Sequence, residues 1–331
     1  MAEPLNATFF ALKRRDRLVL LPATIVFVLV MAVIVAAFLA LNWSAISHFI
    51  ALSQQASQSP TETPQMDEAQ AMQVMSGFMM LVLTTFVFLF PAYLAIASYE
   101  AACLRWMIRG EAPGLFGITI NADTWRVYGV YWCWFVLQFV VSFAMSIVMM
   151  PIMFMSMAGI IGDGGTVDPD AMMRWQLTVQ VPMTLAQYVP LIFFGIRFGP
   201  AAATCIARQR FSFFEAWTVT RDRFFAIFGS YAVLWLIFGL VFTLVWVGAY
   251  WIMLGDMLQD IIRAWPDFSG TISAEVAARL VTPQSLTLIG AAYAICLAPM
   301  LIYVVFSYGI NARAALVALD EGKIEVVPPE D

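Results

Sequence analysis

The chain has 331 residues, of which 62% are hydrophobic and 12% are charged, and its mean hydropathy is +0.83. A soluble domain is typically about 45–50% apolar and about 25% charged, so this composition excludes a purely soluble protein and predicts an integral membrane protein. The formal net charge is −5, and His48 is the only histidine. With one histidine, the chain is not expected to form a His-based metal cluster or a Ser-His or Cys-His catalytic pair.

Apolar runs along the chain predict six transmembrane helices. In order, the predicted spans are 18–41, 75–105, 127–150, 175–207, 224–255 and 285–312. A helix of about 20 residues crosses a hydrocarbon core of about 30 Å, so each run is long enough. The first run is too long for the core of a signal peptide and is expected to remain. We therefore expect an all-α polytopic membrane protein, folded as one transmembrane domain over residues 1–331.

The segments between the spans are predicted from their composition. Residues 42–73 contain acids but no lysine or arginine, which predicts a flexible, solvated outer loop. The stretch 162–170 (GDGGTVDPD) is predicted as an outer turn, and its spacing does not match a calcium loop. Residues 319–331 form a charged cytoplasmic tail. Asp123 is expected to cap the third span, and Pro151 is expected to break it.

Two segments are predicted to be short interfacial amphipathic helices. Phe211, Phe214 and Trp217 share one helical face, and arginines flank them on both sides. Residues 256–265 place apolar side chains on one side and acids on the other, which is typical of a helix lying on the outer surface.

The basic residues predict the orientation. Three of the 17 lysines and arginines, namely Arg174, Arg263 and Arg279, fall in the predicted outer loops, and the other 14 fall on the opposite side. Cytoplasmic loops carry an excess of basic residues. We therefore predict a multi-pass protein of a bacterial inner (cytoplasmic) membrane with both termini in the cytoplasm.

An internal repeat is suggested at a spacing of 97 residues. Without a gap, Arg126 corresponds to Arg223, and Glu100 corresponds to Arg197. Ionisable groups inside the apolar slab are costly and usually have a partner. Glu100 and Arg197 are therefore the candidate intramembrane ion pair. The alternatives are a substrate or proton site formed by these two residues, or side chains that reach the headgroups separately.

The even-numbered spans share a proline followed by alanine-rich sequence and an arginine. Pro91, Pro190 and Pro299 are the predicted helix-kink positions. Prolines and small residues at such positions would suit either tight helix packing or a discontinuous-helix site of the kind that transporters use. Four arginines are candidate lipid-headgroup contacts, although topology alone would also favour them: Arg208, Arg210, Arg221 and Arg223.

Several segments resemble a known family. These are YEAACLRWMIRGE, ADTWRVY and GPAAATCIARQRFSFFEAWTVTRDRFFAIFG. They resemble uncharacterised proteobacterial polytopic inner-membrane proteins and, more distantly, the membrane domain of some bacterial glycerophosphodiester phosphodiesterases. The resemblance covers roughly residues 75 to 235. It implies a stand-alone helical membrane module. The phosphodiesterase chemistry would belong to a separate soluble domain, so no active-site residue is carried over.

The function expected from the sequence is non-enzymatic. The chain has no Walker loop, HExxH or GxSxG motif and no nucleic-acid footprint, so no catalytic residue, cofactor or metal is predicted. We expect a lipid- or envelope-associated scaffold or assembly partner. Membrane lipid is the expected partner, with other membrane proteins or self-association as further options. The alternative is a small secondary transporter or channel, with its site between the second, fourth and sixth spans.

Overall fold

A computed structural model describes residues 7–13, 17–58, 68–111, 118–157, 174–264 and 282–326. These residues form nine α-helices. They are α1 (Phe10–Lys13), α2 (Leu21–Gln58), α3 (Glu68–Arg109), α4 (Ala122–Met157), α5 (Val181–Phe198), α6 (Ala201–Arg208), α7 (Ala216–Thr220), α8 (Phe224–Ala264) and α9 (Pro283–Asp320). A 3-10 turn (Arg17–Leu20) precedes α2, and a π-helical turn (Gln176–Gln180) precedes α5.

Six helical stretches are long and apolar enough to cross a membrane. They are Leu21–Ala51, Ala71–Arg109, Ala122–Ser156, Gln176–Arg208, Phe224–Gly255 and Thr287–Asp320. The described part of the chain contains no β-strand. The prediction of an all-α, polytopic membrane protein is therefore confirmed.

The predicted outer loop 42–73 is shorter than expected. α2 continues to Gln58, and α3 already begins at Glu68, so only residues 59–67 lie outside the described residues. The prediction was wrong because it ended the helix with the apolar run. Asn42 instead remains helical, and its side-chain amide donates to the Phe38 backbone carbonyl at 2.9 Å. The predicted turn at 162–170 and the last residues of the tail, 327–331, also lie outside the described residues.

The start of α4 corrects the predicted cap. Asn121, rather than Asp123, caps the helix, because the Asn121 Oδ1 accepts a hydrogen bond from the Thr124 amide at 3.1 Å. Asp123 lies in the first turn, where its negative charge is favourable. α4 also passes through Pro151 without ending, so the predicted break is absent.

The fourth span is the discontinuous one. α5 ends at Phe198, Gly199 and Pro200 form a turn, and α6 begins at Ala201. Pro200 lacks a backbone N–H, and its ψ of 4° departs from the helical value, so the helix is interrupted there. α6 then ends where Gln209 adopts a left-handed backbone conformation (φ 59°).

The two predicted interfacial helices differ from expectation. Only residues 216–220 of the aromatic segment are helical, as α7, because a turn occupies residues 213–215. Residues up to Ala264 continue α8 rather than forming a separate helix on the outer surface.

The chain divides into two compact units. Unit 1 comprises Met1–Arg17, Ala97–Ser230 and Tyr308–Asp331. Its core is rich in small residues. Ala97 and Ala101 in α3, Ala203 in α6, and Ala312 in α9 are all fully buried. Small side chains let helix backbones approach closely, which is the usual basis of helix packing in membranes.

Unit 2 comprises Leu18–Ile96 and Tyr231–Ser307. A polar contact joins its first two helices, because the Thr84 hydroxyl donates to the buried Asn42 side chain at 2.8 Å. Phe38 and Phe88 join the same two helices, edge-on at 5.5 Å between ring centroids, and Trp246 of α8 meets Tyr293 of α9 at 4.9 Å. Most other apolar side chains of the unit are exposed, as expected where lipid is the solvent.

Candidate functional site

Glu100 lies in a buried cluster of hydroxyl groups. Its side chain lies in unit 1, and the residue is only 5% exposed. The Tyr131 hydroxyl donates to the Glu100 carboxyl at 2.5 Å. Tyr308 is also buried, and its ring lies 6.4 Å from that of the fully buried Tyr99. The acid is therefore held by a tyrosine from another helix, α4.

No basic side chain among the described residues forms a salt bridge with Glu100. A buried carboxylate without a counter-ion is costly, and a hydrogen-bond donor lowers that cost. Tyr131 supplies such a donor.

Arg197 lies among aromatic rings at the end of α5. Its guanidinium carbon lies 4.8 Å from the ring centroid of Trp217, 5.0 Å from that of Phe224 and 5.6 Å from that of Phe193. Cations are attracted to ring faces at distances of up to about 6 Å. Arg197 also donates to the Thr220 carbonyl at 3.1 Å, and the Thr220 hydroxyl donates back to the Arg197 carbonyl at 3.2 Å.

The predicted ion pair between Glu100 and Arg197 is not formed. Each residue has its own local partners, and among the described residues neither has the other within salt-bridge distance. The gapless repeat equated two helices with different courses. α3 continues unbroken from Glu100 to Arg109, whereas α5 ends one residue after Arg197. The chain turns after α6, where Gln209 is left-handed, and this turn brings the α7 segment, with Trp217 and Thr220, to the arginine.

The three predicted helix-kink prolines lie inside helices. Pro91 lies within α3, Pro190 within α5 and Pro299 within α9. None of the three helices ends at its proline. The break that a discontinuous-helix site would need occurs at Gly199 and Pro200 instead.

The four candidate headgroup arginines divide into two kinds. Arg208 donates to Glu215 at 2.8 Å and to Ser212 at 3.2 Å, and Arg223 forms a salt bridge with Glu321. These two are thus occupied by partners within the protein. Arg210 and Arg221 are exposed, and neither forms a salt bridge with a described residue.

The ion-pair network around Asp123 is not among the sequence predictions. Both terminal nitrogens of Arg109 donate hydrogen bonds to the Asp123 carboxylate, at 3.0 and 3.2 Å. Arg126 donates to the same carboxylate at 2.6 Å. Arg109 also donates to the Ile206 carbonyl at 2.8 Å, which joins α3 to α6. These residues lie at helix ends, where the sequence indicated only topology and capping.

Tyr308 was also missed, although the sequence carries a signal for it. It follows Pro299 by nine residues, and Glu100 follows Pro91 by nine residues. Aligning the second span with the sixth would have placed the two residues at equivalent positions. The predicted repeat of 97 residues aligns the second span with the fourth instead.

The segment after α9 carries a further set of ion pairs. Lys323 contacts Asp222 at 2.8 Å and Glu321 at 3.2 Å, and Ile324 is buried. The bond to Lys323 lowers the pKa of both Asp222 and Glu321, and the bond to Asp222 raises the pKa of Lys323. The Glu325 carbonyl accepts from Arg208 at 3.2 Å. Residues 321–325 are therefore held against the segment from Arg208 to Arg223.

The contacts of Glu100 and Arg197 are hydrogen bonds and ring contacts. In the described ranges, no three His, Cys, Asp or Glu side chains come close enough to hold a metal ion. Glu100 has hydroxyl neighbours, and Arg197 has rings and a carbonyl. Comparison with protein-family models, with curated proteins and with solved structures gave no match. The resemblance to proteobacterial inner-membrane proteins therefore stays a prediction.

Proposed function

We propose that the protein is a non-enzymatic, multi-pass protein of the bacterial inner membrane, with both termini in the cytoplasm, that acts as a lipid-associated scaffold or assembly partner. The observation that carries this proposal is the closed surroundings of Glu100. A transporter site needs an ionisable group that substrate and water can reach. Glu100 is buried and hydrogen-bonded to Tyr131, which supports a structural role.

Lipid association is supported by the exposed basic and aromatic residues around α7. Arg210 and Arg221 are exposed, and Phe214 and Phe225 are 74% and 82% exposed. Basic groups near a membrane surface attract anionic lipid, each contributing about 1 kcal/mol. Aromatic side chains are favoured at the same level of the bilayer.

The native thiol Cys103 tests whether the surroundings of Glu100 are closed. Cys103 lies one turn after Glu100 on α3 and is fully buried. The test uses a variant in which Cys103 is the only cysteine (Cys133→Ala, Cys205→Ser, Cys296→Ala). The variant is studied in native membranes. Serine at position 205 keeps an acceptor for the Ser212 amide, which donates to Cys205 at 3.2 Å.

We expect a membrane-impermeant thiol reagent to label Cys103 only after denaturation. Arg210→Cys in a background without native cysteines serves as the exposed control and should label at once, from the cytoplasmic side. Rapid labelling of Cys103 in the folded protein would contradict the scaffold proposal and favour the transporter alternative.

The lipid component has its own test. In detergent, native mass spectrometry should show that Arg210→Gln with Arg221→Gln retains less phosphatidylglycerol than the wild type. Arg174→Gln is the matched control, since Arg174 is also exposed but lies on the other predicted side. Equal retention by all three proteins would remove Arg210 and Arg221 from the proposal.

A further inference from the structure

A cavity of about 270 Å³ lies between α2 and α3 within unit 2. Its wall includes Ser44, His48 and Phe49 from α2 and Gln73, Ser76 and Met80 from α3. Gly77 also lines it, and the two helices approach closely there, since a Cβ at Gly77 would lie 3.6 Å from that of Ala45. Among the described residues, no charged side chain lines this cavity, and none of its lining residues takes part in the contacts of Glu100 or Arg197.

His48 supplies the observation that points to a ligand. Its Nε2 atom is buried and has no hydrogen-bond partner among the described residues. Leaving a buried polar atom without a partner costs about 1–3 kcal/mol, so such an atom usually faces a water or a ligand. When the imidazole is protonated on Nδ1, Nε2 is a hydrogen-bond acceptor.

The other polar groups of the cavity can also accept hydrogen bonds. The Ser76 hydroxyl already donates to the Gln73 backbone carbonyl at 2.9 Å, so its oxygen lone pairs remain for a donor. The Ser44 hydroxyl and the Gln73 side-chain amide can each accept as well as donate. The lining therefore has enough acceptors for a ligand with several N–H donors.

Charge favours a cation over an anion. No described lysine or arginine lines the cavity, and the sequence 42–73 contains acids but no basic residue apart from His48. The Phe49 ring in the wall offers a face to which a cation is attracted. A phosphate group alone would find no basic partner in this cavity except a protonated His48.

The position of the cavity indicates where the cation comes from. Ser44 and His48 follow the start of α2 by roughly 35–40 Å at 1.5 Å per residue, which exceeds the hydrocarbon core of about 30 Å. If α2 enters the hydrocarbon core at its first residue, the cavity lies at headgroup level. Exposed apolar side chains adjoin it on both helices, with Trp43 next to Ser44 and Met79 next to Met80.

We propose that this cavity binds a primary ammonium group, supplied by the headgroup of a phosphatidylethanolamine molecule. The ammonium donates its three N–H bonds to His48 Nε2 and to neighbouring oxygens such as that of Ser76. The acyl chains lie along the exposed apolar surface of α2 and α3. This site uses none of the residues on which the scaffold proposal depends, so either proposal can fail alone.

Native mass spectrometry of the delipidated full chain in detergent tests the proposal. The probes are phosphatidylethanolamine, phosphatidylcholine and phosphatidylglycerol with identical acyl chains. Phosphatidylcholine keeps the positive charge and the phosphate but has no N–H donor. We expect phosphatidylethanolamine to bind about tenfold more tightly than either of the other two, the effect of hydrogen bonds made by a charged donor.

Variants locate the binding. His48→Leu and, separately, Ser76→Ala should each reduce phosphatidylethanolamine binding several-fold and leave phosphatidylcholine binding unchanged. Ser47→Ala is the matched control, because Ser47 is adjacent, donates to the Ser44 carbonyl at 3.0 Å and does not line the cavity. Thermal stability in detergent shows that each variant remains folded.

A competition with free ethanolamine distinguishes the two sources of an ammonium group. Failure of millimolar ethanolamine to displace the phospholipid would support a lipid ligand. Displacement of the phospholipid by ethanolamine would overturn the assignment to a lipid headgroup and would show that the cavity binds soluble amines. Equal binding of phosphatidylethanolamine and phosphatidylcholine, or full phosphatidylethanolamine binding by both His48→Leu and Ser76→Ala, would overturn the proposal.

Discussion

The surroundings of Glu100 and of Arg197 show two different ways to keep an ionisable side chain within a membrane span. Glu100 is closed off from solvent and accepts a hydrogen bond from Tyr131. Arg197 is only partly buried, and it is surrounded by the rings of Phe193, Trp217 and Phe224. Neither residue relies on an opposite charge. The comparison shows that two intramembrane charges of opposite sign need not be partners, because local donors, carbonyls and rings can satisfy each one.

The true ion pairs lie at the helix ends, and removing one should have the largest effect. Asp123→Ala leaves Arg109 and Arg126 without their shared carboxylate. Breaking a largely buried pair in this way should lower the stability by about 3–5 kcal/mol, measured by thermal unfolding in detergent. Glu111→Ala is the control. It removes an exposed contact to Arg109 of 3.7 Å, which should cost at most about 1 kcal/mol. Equal effects of the two substitutions would contradict the network.

Removing the donor to Glu100 should have the next largest effect. Tyr131→Phe leaves a buried acceptor without its partner and should lower the stability by about 1–3 kcal/mol. Tyr128→Phe is the control, because phenylalanine keeps the ring contacts of Tyr128 with Trp125 and Trp132. If both substitutions are neutral in thermal unfolding, the tyrosine does not stabilise Glu100.

The ring cluster around Arg197 should show a smaller effect. Trp217→Leu removes the nearest ring and should lower the stability by about 1–2 kcal/mol through the lost cation–π contact. Phe214→Leu, at a ring that is 74% exposed and does not contact Arg197, should cost less. The decisive comparison is between Trp217→Leu in the wild type and in an Arg197→Gln background. Identical losses in the two would show that the ring and the cation do not interact.

The smallest effect is expected for the exposed ion pairs of residues 321–325. Because the pKa values of Asp222 and Glu321 are lowered in the folded protein, their stabilisation is lost as the pH falls below about 4. Because the pKa of Lys323 is raised, its contribution is lost above about pH 10.

Hydrogen exchange of the Lys323 amide, which donates to the Ala318 carbonyl at 2.9 Å, reports the docking of this segment. Exchange should be slowest between those pH limits, after correction for the intrinsic pH dependence, and should speed up in 1 M salt, where the Debye length is about 3 Å. A corrected rate that depends on neither pH nor salt would show that the buried Ile324, rather than the ion pairs, holds the segment.

The sequence predicted the class of fold well because the membrane imposes one strong requirement. Long apolar runs must be helical, so each of the six predicted spans overlaps one of the observed stretches. Side-chain partners depend on where helices break, and a proline in the sequence does not by itself show where that is. Pro190 and Pro200 look alike in the sequence, yet α5 passes through the first, and the chain turns at the second. The wrong prediction of a pair between Glu100 and Arg197 followed from that difference.

The polar contacts at helix ends were hard to predict for a second reason. Capping or topology is a sufficient reason for each of Asp123, Arg109 and Arg126, so nothing in the sequence points to their mutual contact. Asn42 and Thr84 lie in different spans, and no sequence spacing links them. The spacing from proline to Tyr308 is the one signal that would have extended the predicted site correctly.

The most direct test of separate stabilisation is a double-mutant cycle between Glu100 and Arg197. Glu100→Gln, Arg197→Gln and the double variant are compared with the wild type by equilibrium unfolding in detergent. We predict a coupling free energy within about 0.5 kcal/mol of zero, as for sites that share no partner. A coupling of about 1 kcal/mol or more, with stability restored in a variant that exchanges the two residues, would contradict this account.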